Sequence, residues 1–139
     1  MPLFRPEEET RVRELFDALD RPVELAVALG PEATPVAGAG DIDFGAETVR
    51  VVEALAALSD KLTYGVVDEA DRYPAISIRP EGEDAGVWYF GLPWGHELAS
   101  LIGAVREAGR AESSLAPESL EQLAALNRDL AIDVFVTPT

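Results

Sequence analysis

The apolar positions change period along the chain, and each change marks an element. From Arg72 to Gly109 the order reads strand, turn, strand, bend, helix. Ala75, Ile76 and Ile78 follow Pro74, a polar turn runs from Pro80 to Gly86, and Val87-Trp88-Tyr89-Phe90 is a second β-rich run, so the two predict a hairpin. Gly91-Leu92-Pro93-Trp94-Gly95 interrupts it. Leu98, Leu101, Ile102 and Val105 then recur at the spacing of one helical face, with Gly109 as the C-cap.

Upstream, Pro6 opens a helix whose first turn holds Glu7, Glu8 and Glu9, favourable near a helix N-terminus, and whose inward stripe is Val12, Leu15, Phe16 and Leu19. It ends near Asp20-Arg21-Pro22. Val23 to Leu29 is apolar almost throughout, as a central strand covered on both faces requires. A Gly, Ala and Pro-rich loop spans Gly30 to Gly45. A helix is expected from Thr48 to Leu58, facing Val51, Val52, Leu55 and Leu58 inward, and after Ser59-Asp60 a strand from Leu62 to Val67 runs parallel to the first, because a helix crosses between them. Past the hairpin and its helix, Pro117 opens another helix with Leu120, Leu123, Ala124 and Leu126 inward. Ala131 to Val136 is the last expected strand, followed by Thr137-Pro138-Thr139.

These elements predict an α/β domain: a βαβ unit followed by a ββα unit, a mixed sheet of about four strands in three layers with helices on both faces, and an extra N-terminal helix. Residues 1–20 form that helix, residues 21–110 the domain proper, and residues 111–139 a helix and strand leading toward a further unit. A chain of 139 residues is of ordinary single-domain size and buries about two-thirds of the surface it exposes when unfolded.

Composition narrows the chemistry. There is no cysteine, so these residues hold no disulfide, thiolate metal site or cysteine nucleophile. No apolar run is long enough for a membrane span, and the N-terminus lacks the pattern of a signal peptide, so the expected location is the cytoplasm. Eleven basic against 26 acidic residues give a net charge of −15, which repels nucleic acid and anionic membranes alike. Lys61 is the sole lysine, and that bias with surplus Asp and Glu suggests a halophilic or GC-rich source.

Three stretches carry a resemblance. Arg21-Pro22-Val23-Glu24-Leu25, Leu58-Ser59-Asp60-Lys61-Leu62-Thr63 and above all Phe90-Gly91-Leu92-Pro93-Trp94-Gly95-His96-Glu97-Leu98 with Ser100-Leu101 resemble the first thioredoxin-like unit of tandem-thioredoxin disulfide oxidoreductases. That group comprises the archaeal and thermophile glutaredoxin-like proteins and the N-terminal region of the alkyl hydroperoxide reductase flavoprotein subunit. The closing Val134-Phe135-Val136-Thr137-Pro138-Thr139 resembles the strand that in those families leads into the Cys-x-x-Cys of the second unit. The resemblance implies a thioredoxin-like fold. One departure is decisive: where active first units carry Cys-x-x-Cys between first strand and first helix, this chain has Ile42-Asp43-Phe44-Gly45, so no dithiol chemistry takes place there. In the reductase flavoprotein the first unit likewise lacks its cysteines and serves as a scaffold, and the resemblance implies the same role here.

It also implies site residues. Pro74 is expected to be cis and to sit opposite the former active-site loop, where working thioredoxins pair with a substrate segment; the alternative is that the bend only starts the strand. Glu97 is a candidate acid/base toward the dithiol of a following unit, or else a favourable charge in a helix's first turn. Pro74, Trp94, Ile42, Asp43 and Phe44 are the candidate partner surface. Trp88 lies in a strand and is expected to be at least half core. His96 is the only histidine and reads as a turn-stabilising neighbour of Glu97. Asp41-Ile42-Asp43 and Asp68-Glu69-Ala70-Asp71 lack the spacing of a calcium loop and read as solvated acidic loops, and Gly38-Ala39-Gly40 lacks the Lys and Ser/Thr of a phosphate loop. No metal or cofactor is expected.

Three functions follow. The first is a redox-inactive thioredoxin-like domain serving as structural and docking half of a thiol–disulfide oxidoreductase, its partner a protein or a second thioredoxin-like unit. The second is a stand-alone cysteine-free module that binds a protein or peptide around Pro74 and the 30–45 loop. An autonomous enzyme comes last, since Glu97 and His96 have neither nucleophile nor metal cage. An exposed, flat final strand at Ile132 to Val136 would favour the first, because open strand edges are covered by a partner, and it offers a route to a homo-oligomer; a blunted or absent edge would favour the second.

Overall fold

The computed structural model describes residues 2–30, 40 and 42–136. Four strands form one mixed sheet. β1 (Val23–Ala28) lies between β2 (Leu62–Val67), parallel to it, and β3 (Ala75–Pro80), antiparallel, with β4 (Trp88–Phe90) on the far side of β3. The helices are α1 (Pro6–Asp17), α2 (Phe44–Ala56), α3 (His96–Ala108) and α4 (Pro117–Ala124). The expected βαβ and ββα units are both present, and the N-terminal helix precedes them.

Register explains the burial. Val23, Leu25 and Val27 stand opposite Pro80, Ile78 and Ile76 on one face of the sheet. The valines, Leu25 and the two isoleucines form a single core with Val12, Phe16 and Leu19 of the N-terminal segment, Val51, Val52 and Leu55 of α2, and Leu101 and Val105 of α3. Helices α1, α2 and α3 thus bury their stripes on the same side, which corrects the expected three layers. The reason is local: residues 68–74 join β2 to β3 with no helix between them. The other face carries small residues, Ala26, Ala28, Ala75 and Ser77, all without solvent exposure. On β4 the rings of Trp88 and Phe90 stack 6.2 Å apart on that side, and the Arg72 guanidinium lies 5.5 Å from the Phe90 centroid. Trp88 is half-buried, as its place in a strand implied.

The first helix is fastened by polar contacts to the end of α2. The Lys61 ammonium donates to the carbonyls of Asp17 (2.8 Å) and Leu19 (2.6 Å), capping the C-terminal end of α1 with a positive charge. The Ser59 hydroxyl donates to the Asp17 carboxylate at 2.6 Å, and Arg13 donates to the Leu58 carbonyl at 3.1 Å. At the same end of the sheet, on the α3 side, the Arg21 side chain donates to the Ala108 carbonyl at 2.9 Å, where α3 stops at Gly109 as expected. The Arg21 and Leu58-to-Lys61 stretches therefore hold the N-terminal helix on the domain.

Three expectations need correction. Helix α2 begins at Phe44 instead of Thr48, because the Asp43 carboxylate accepts from the Ala46 N–H at 3.0 Å and caps it. Helix α4 forms from Pro117, but none of its residues is buried, and Leu120, Leu123 and Leu126 are exposed where an inward face was expected. Residues 131–136 form no strand: Ile132, Val134 and Phe135 are about four-fifths exposed, and among the described residues no backbone hydrogen bond reaches them. β1 is paired on both sides, by β2 and β3, and the segment adds to neither of the open edges, β2 and β4. Residues 31–39 and 41, most of the expected loop with Asp41 and part of Gly38-Ala39-Gly40, lie outside the described residues, as do 137–139.

The uncovered segment repeats the start of the chain. Phe16, Ala18, Leu19, Asp20 and Arg21 recur in the same spacing as Leu123, Ala125, Leu126, Asn127 and Arg128, and both helices stop at the corresponding residue, Asp17 and Ala124. After a short insertion, Val23-Glu24-Leu25-Ala26-Val27 of β1 recurs in character as Ile132-Asp133-Val134-Phe135-Val136.

Candidate functional site

The C-terminal end of a parallel strand is where open α/β sheets place their sites, and here it gathers four of the candidate residues. The β1–β3 register ends with Ala28 opposite Ala75, so Leu29 and Gly30 emerge beside Pro74 and Tyr73. The Tyr73–Pro74 peptide is cis, as the resemblance implied. Gly30 has a φ of 77° and its backbone lies against the Tyr73 ring, so any Cβ there would collide with it. The first turn of α2 meets the same end: a Cβ on Gly45 would lie 3.6 Å from a Leu29 methyl. Ile42, Asp43 and Phe44 thus lie at the same end of the sheet as Pro74.

Asp43 is the most informative of these. Its side chain fills the position expected for the missing dithiol and satisfies a backbone donor of the helix N-terminus with a carboxylate. Its carboxyl group offers no sulfur for thiol–disulfide exchange.

The carbonyl of Pro74 accepts from the Gly91 N–H at 2.8 Å, which fixes the following bend. Leu92 and Pro93 are buried, and Trp94 is left 41% exposed. Gly95 takes a φ of 60° to begin α3. Trp94 does not face the Pro74 rim. It lines a groove of about 570 Å³ between α1 and α3, with Leu3, Phe4, Leu15, Leu98 and Ile102. Glu97 is likewise turned inward: its carboxylate lies beside the Tyr89 phenol, which burial first and this carboxylate second hold well above the ordinary tyrosine value. His96, the first residue of α3, is exposed. Tyr89 was not among the residues singled out by sequence. The signal was present, since alternation along Trp88-Tyr89-Phe90 puts Tyr89 opposite Ile76 on the helix-covered face.

Among the described residues no group of three or more His, Cys, Asp or Glu could hold a metal ion. No helix among them is long and apolar enough to cross a membrane.

A mixed four-stranded sheet with a cis proline starting β3 and a helix N-terminus facing it defines a thioredoxin-like unit, here with a capping carboxylate in place of the dithiol. Comparisons with known proteins agree. The chain is 26% identical over 128 residues to the AhpF component of alkyl hydroperoxide reductase from Xanthomonas campestris pv. phaseoli, covering 91% of this chain and 22% of that protein. It is 24% identical over 127 residues to the same component from Pseudomonas aeruginosa, and 27% identical over 101 residues to an NADH dehydrogenase of Bacillus subtilis. The chain therefore spans about a fifth of the length of the curated relatives it matches. Among solved structures it is similar to the N-terminal domain of the alkyl hydroperoxide reductase AhpF of Enterococcus faecalis, with a TM-score of 0.73 and 20% identity over 90% of this chain and 62% of that one. A protein disulfide oxidoreductase from Aeropyrum pernix gives a TM-score of 0.68 at 20% identity, covering 88% and 55%. No family model matches.

Proposed function

We propose that this chain is the redox-inactive, structural and docking half of a cytoplasmic thiol–disulfide oxidoreductase, electrons passing through a Cys-x-x-Cys in a second thioredoxin-like unit. One observation carries the reading. Residues 117–136 repeat the sequence pattern of the helix and strand that begin the first unit, yet 131–136 form no strand and stand exposed. A segment of that pattern is the start of a second unit, and the named relatives are longer redox proteins of that kind. Glu97 would then act as acid or base toward that unit's dithiol, with Pro74, Ile42, Asp43 and Phe44 contributing one contact and Trp94 a separate one from the α1–α3 groove.

The intact mass of the native protein, purified from its source, tests this. A mass well above 14.9 kDa with cysteines in the added part, or a dithiol protein held in stoichiometric complex, is expected. A free 14.9 kDa species sinks the reading. A second reading, a self-contained binding module, is favoured by the absence of a strand at 131–136 and by the apolar groove beside Trp94, and a free 14.9 kDa species would leave it standing. In a complex that carries the dithiol, Glu97→Gln should shift the pH profile of thiol exchange; an unchanged profile removes Glu97 from the chemistry.

A further inference from the structure

β2 is an unguarded sheet edge. It pairs with β1 on one side only, and its six residues, Leu62-Thr63-Tyr64-Gly65-Val66-Val67, include no charge and no proline. Sheets ordinarily blunt such an edge with a charge, a proline, a bulge or a very short strand. The opposite edge, β4, is only three residues long. On β2, Tyr64 is 42% and Val66 64% exposed, so an apolar row of the helix-covered face runs out into solvent at this edge. The Tyr64 hydroxyl donates to Glu53 of α2 at 2.7 Å, in keeping with the face on which that row lies.

The same chain carries a strand of the matching kind. β1 already satisfies the inner edge of β2, setting Val23, Leu25 and Val27 across from Leu62, Tyr64 and Val66. Ile132, Val134 and Val136 present the same apolar alternation, with Asp133 where β1 has Glu24, and their backbone is unpaired. We propose that residues 132–136 of one copy add to the outer β2 edge of a second copy, and reciprocally, closing a two-fold dimer. Reciprocity leaves no free β2 edge or arm to propagate a filament, and the remaining edge, β4, is only three residues long. In an extended arm Ile132, Val134 and Val136 share one face, so the added strand continues the Tyr64 and Val66 row beside α2. This rests on the reading of 117–136 as a docking segment, and it makes self-pairing the state of that segment when no second unit engages it.

Sedimentation of the whole 139-residue chain, from sub-micromolar to hundreds of micromolar and in salt that screens the charge of −15, reads the proposal. A concentration-dependent dimer is expected. Val66→Lys on the edge and Val134→Pro in the arm should each weaken it about tenfold or more. Both positions are exposed, so neither change threatens the fold, and the added lysine acts against its own favourable charge in an acidic dimer. An equimolar mixture of the two variants should associate better than either alone, because one of the two exchanges is intact. A monomer at every concentration overturns the proposal, as does a dimer indifferent to Val66→Lys, which would place the contact elsewhere. Neither outcome touches the docking reading, which stands or falls on the native mass.

Discussion

Asp43 and Tyr89 show how single side chains set what this unit can do. The Asp43 carboxylate caps α2, and removing it strands a backbone donor at the helix start. Asp43→Ala should cost about 1 kcal/mol, a fall in Tm of ~3–5 °C, while Asp43→Asn, also a good cap, should restore most of it. A calorimetric melt decides, and equal Tm values for all three would mean the cap is not formed. Tyr89 gives a pH signature. The folded chain holds its phenolic proton more tightly than the unfolded chain does, because burial and the Glu97 carboxylate disfavour the phenolate. Its stabilising effect is therefore complete below the ordinary value of 10.0 and is lost as pH climbs beyond it. Tyr89→Phe should flatten the alkaline limb of a stability-versus-pH curve relative to the parent, with urea midpoints as the readout. Identical limbs would show that the Tyr89–Glu97 pair does not form. In sequence Asp43 was legible as a candidate partner-surface residue in the place of the missing dithiol, but not as the cap of α2, because the helix was expected to begin at Thr48.

At the scale of elements, the hydrophobic period predicted what packs and could not say against what. β2 and β3 were readable because their apolar runs are bounded by turn residues, and α1 and α3 because their stripes keep a helical spacing. The stripe of α4 was equally clear, and the structure leaves it uncovered. Amphipathicity states that a face must be buried; the partner is a tertiary fact. The same holds for 131–136, whose composition is that of a strand and which pairs with no strand of the sheet, although β2 and β4 each keep an open edge. The absent second helix layer went unread because the 68–74 connection was passed over as an acidic loop, although so short a link leaves no room for a helix across that face. If 117–139 belongs to another unit, the first unit does not depend on it. Deleting those residues should change unfolding free energy by less than ~0.5 kcal/mol, as for surface positions elsewhere. Denaturant melts of the two lengths give the answer, and a larger loss would mean that α4 packs on the domain in solution.

Over the whole molecule, charge is the dominant unbalanced term. Among the described residues the ion pairs are Arg13–Glu9, Arg50–Glu47 and Arg110–Glu107, all within single helices or their ends and all partly exposed. Such pairs contribute little, and none joins two elements of the fold. The surplus of acidic over basic residues is thus left as repulsion spread over the surface, and folding concentrates it. Screening should relieve it. Between about 0.01 M and 1 M salt the Debye length falls from ~30 Å to ~3 Å, shorter than most distances between surface carboxylates. The Tm should rise steeply over the first part of that range and then level off. A general salting-out effect behaves differently: it grows with concentration and is stronger for sulfate than for chloride. Melting in KCl and in potassium sulfate at matched ionic strength separates the two. Coincident curves at low ionic strength are the mark of screening and of a chain suited to saline surroundings. A Tm that does not move in KCl would remove the halophilic reading altogether, leaving the scarcity of lysine as a property of the source's base composition and not of its salt.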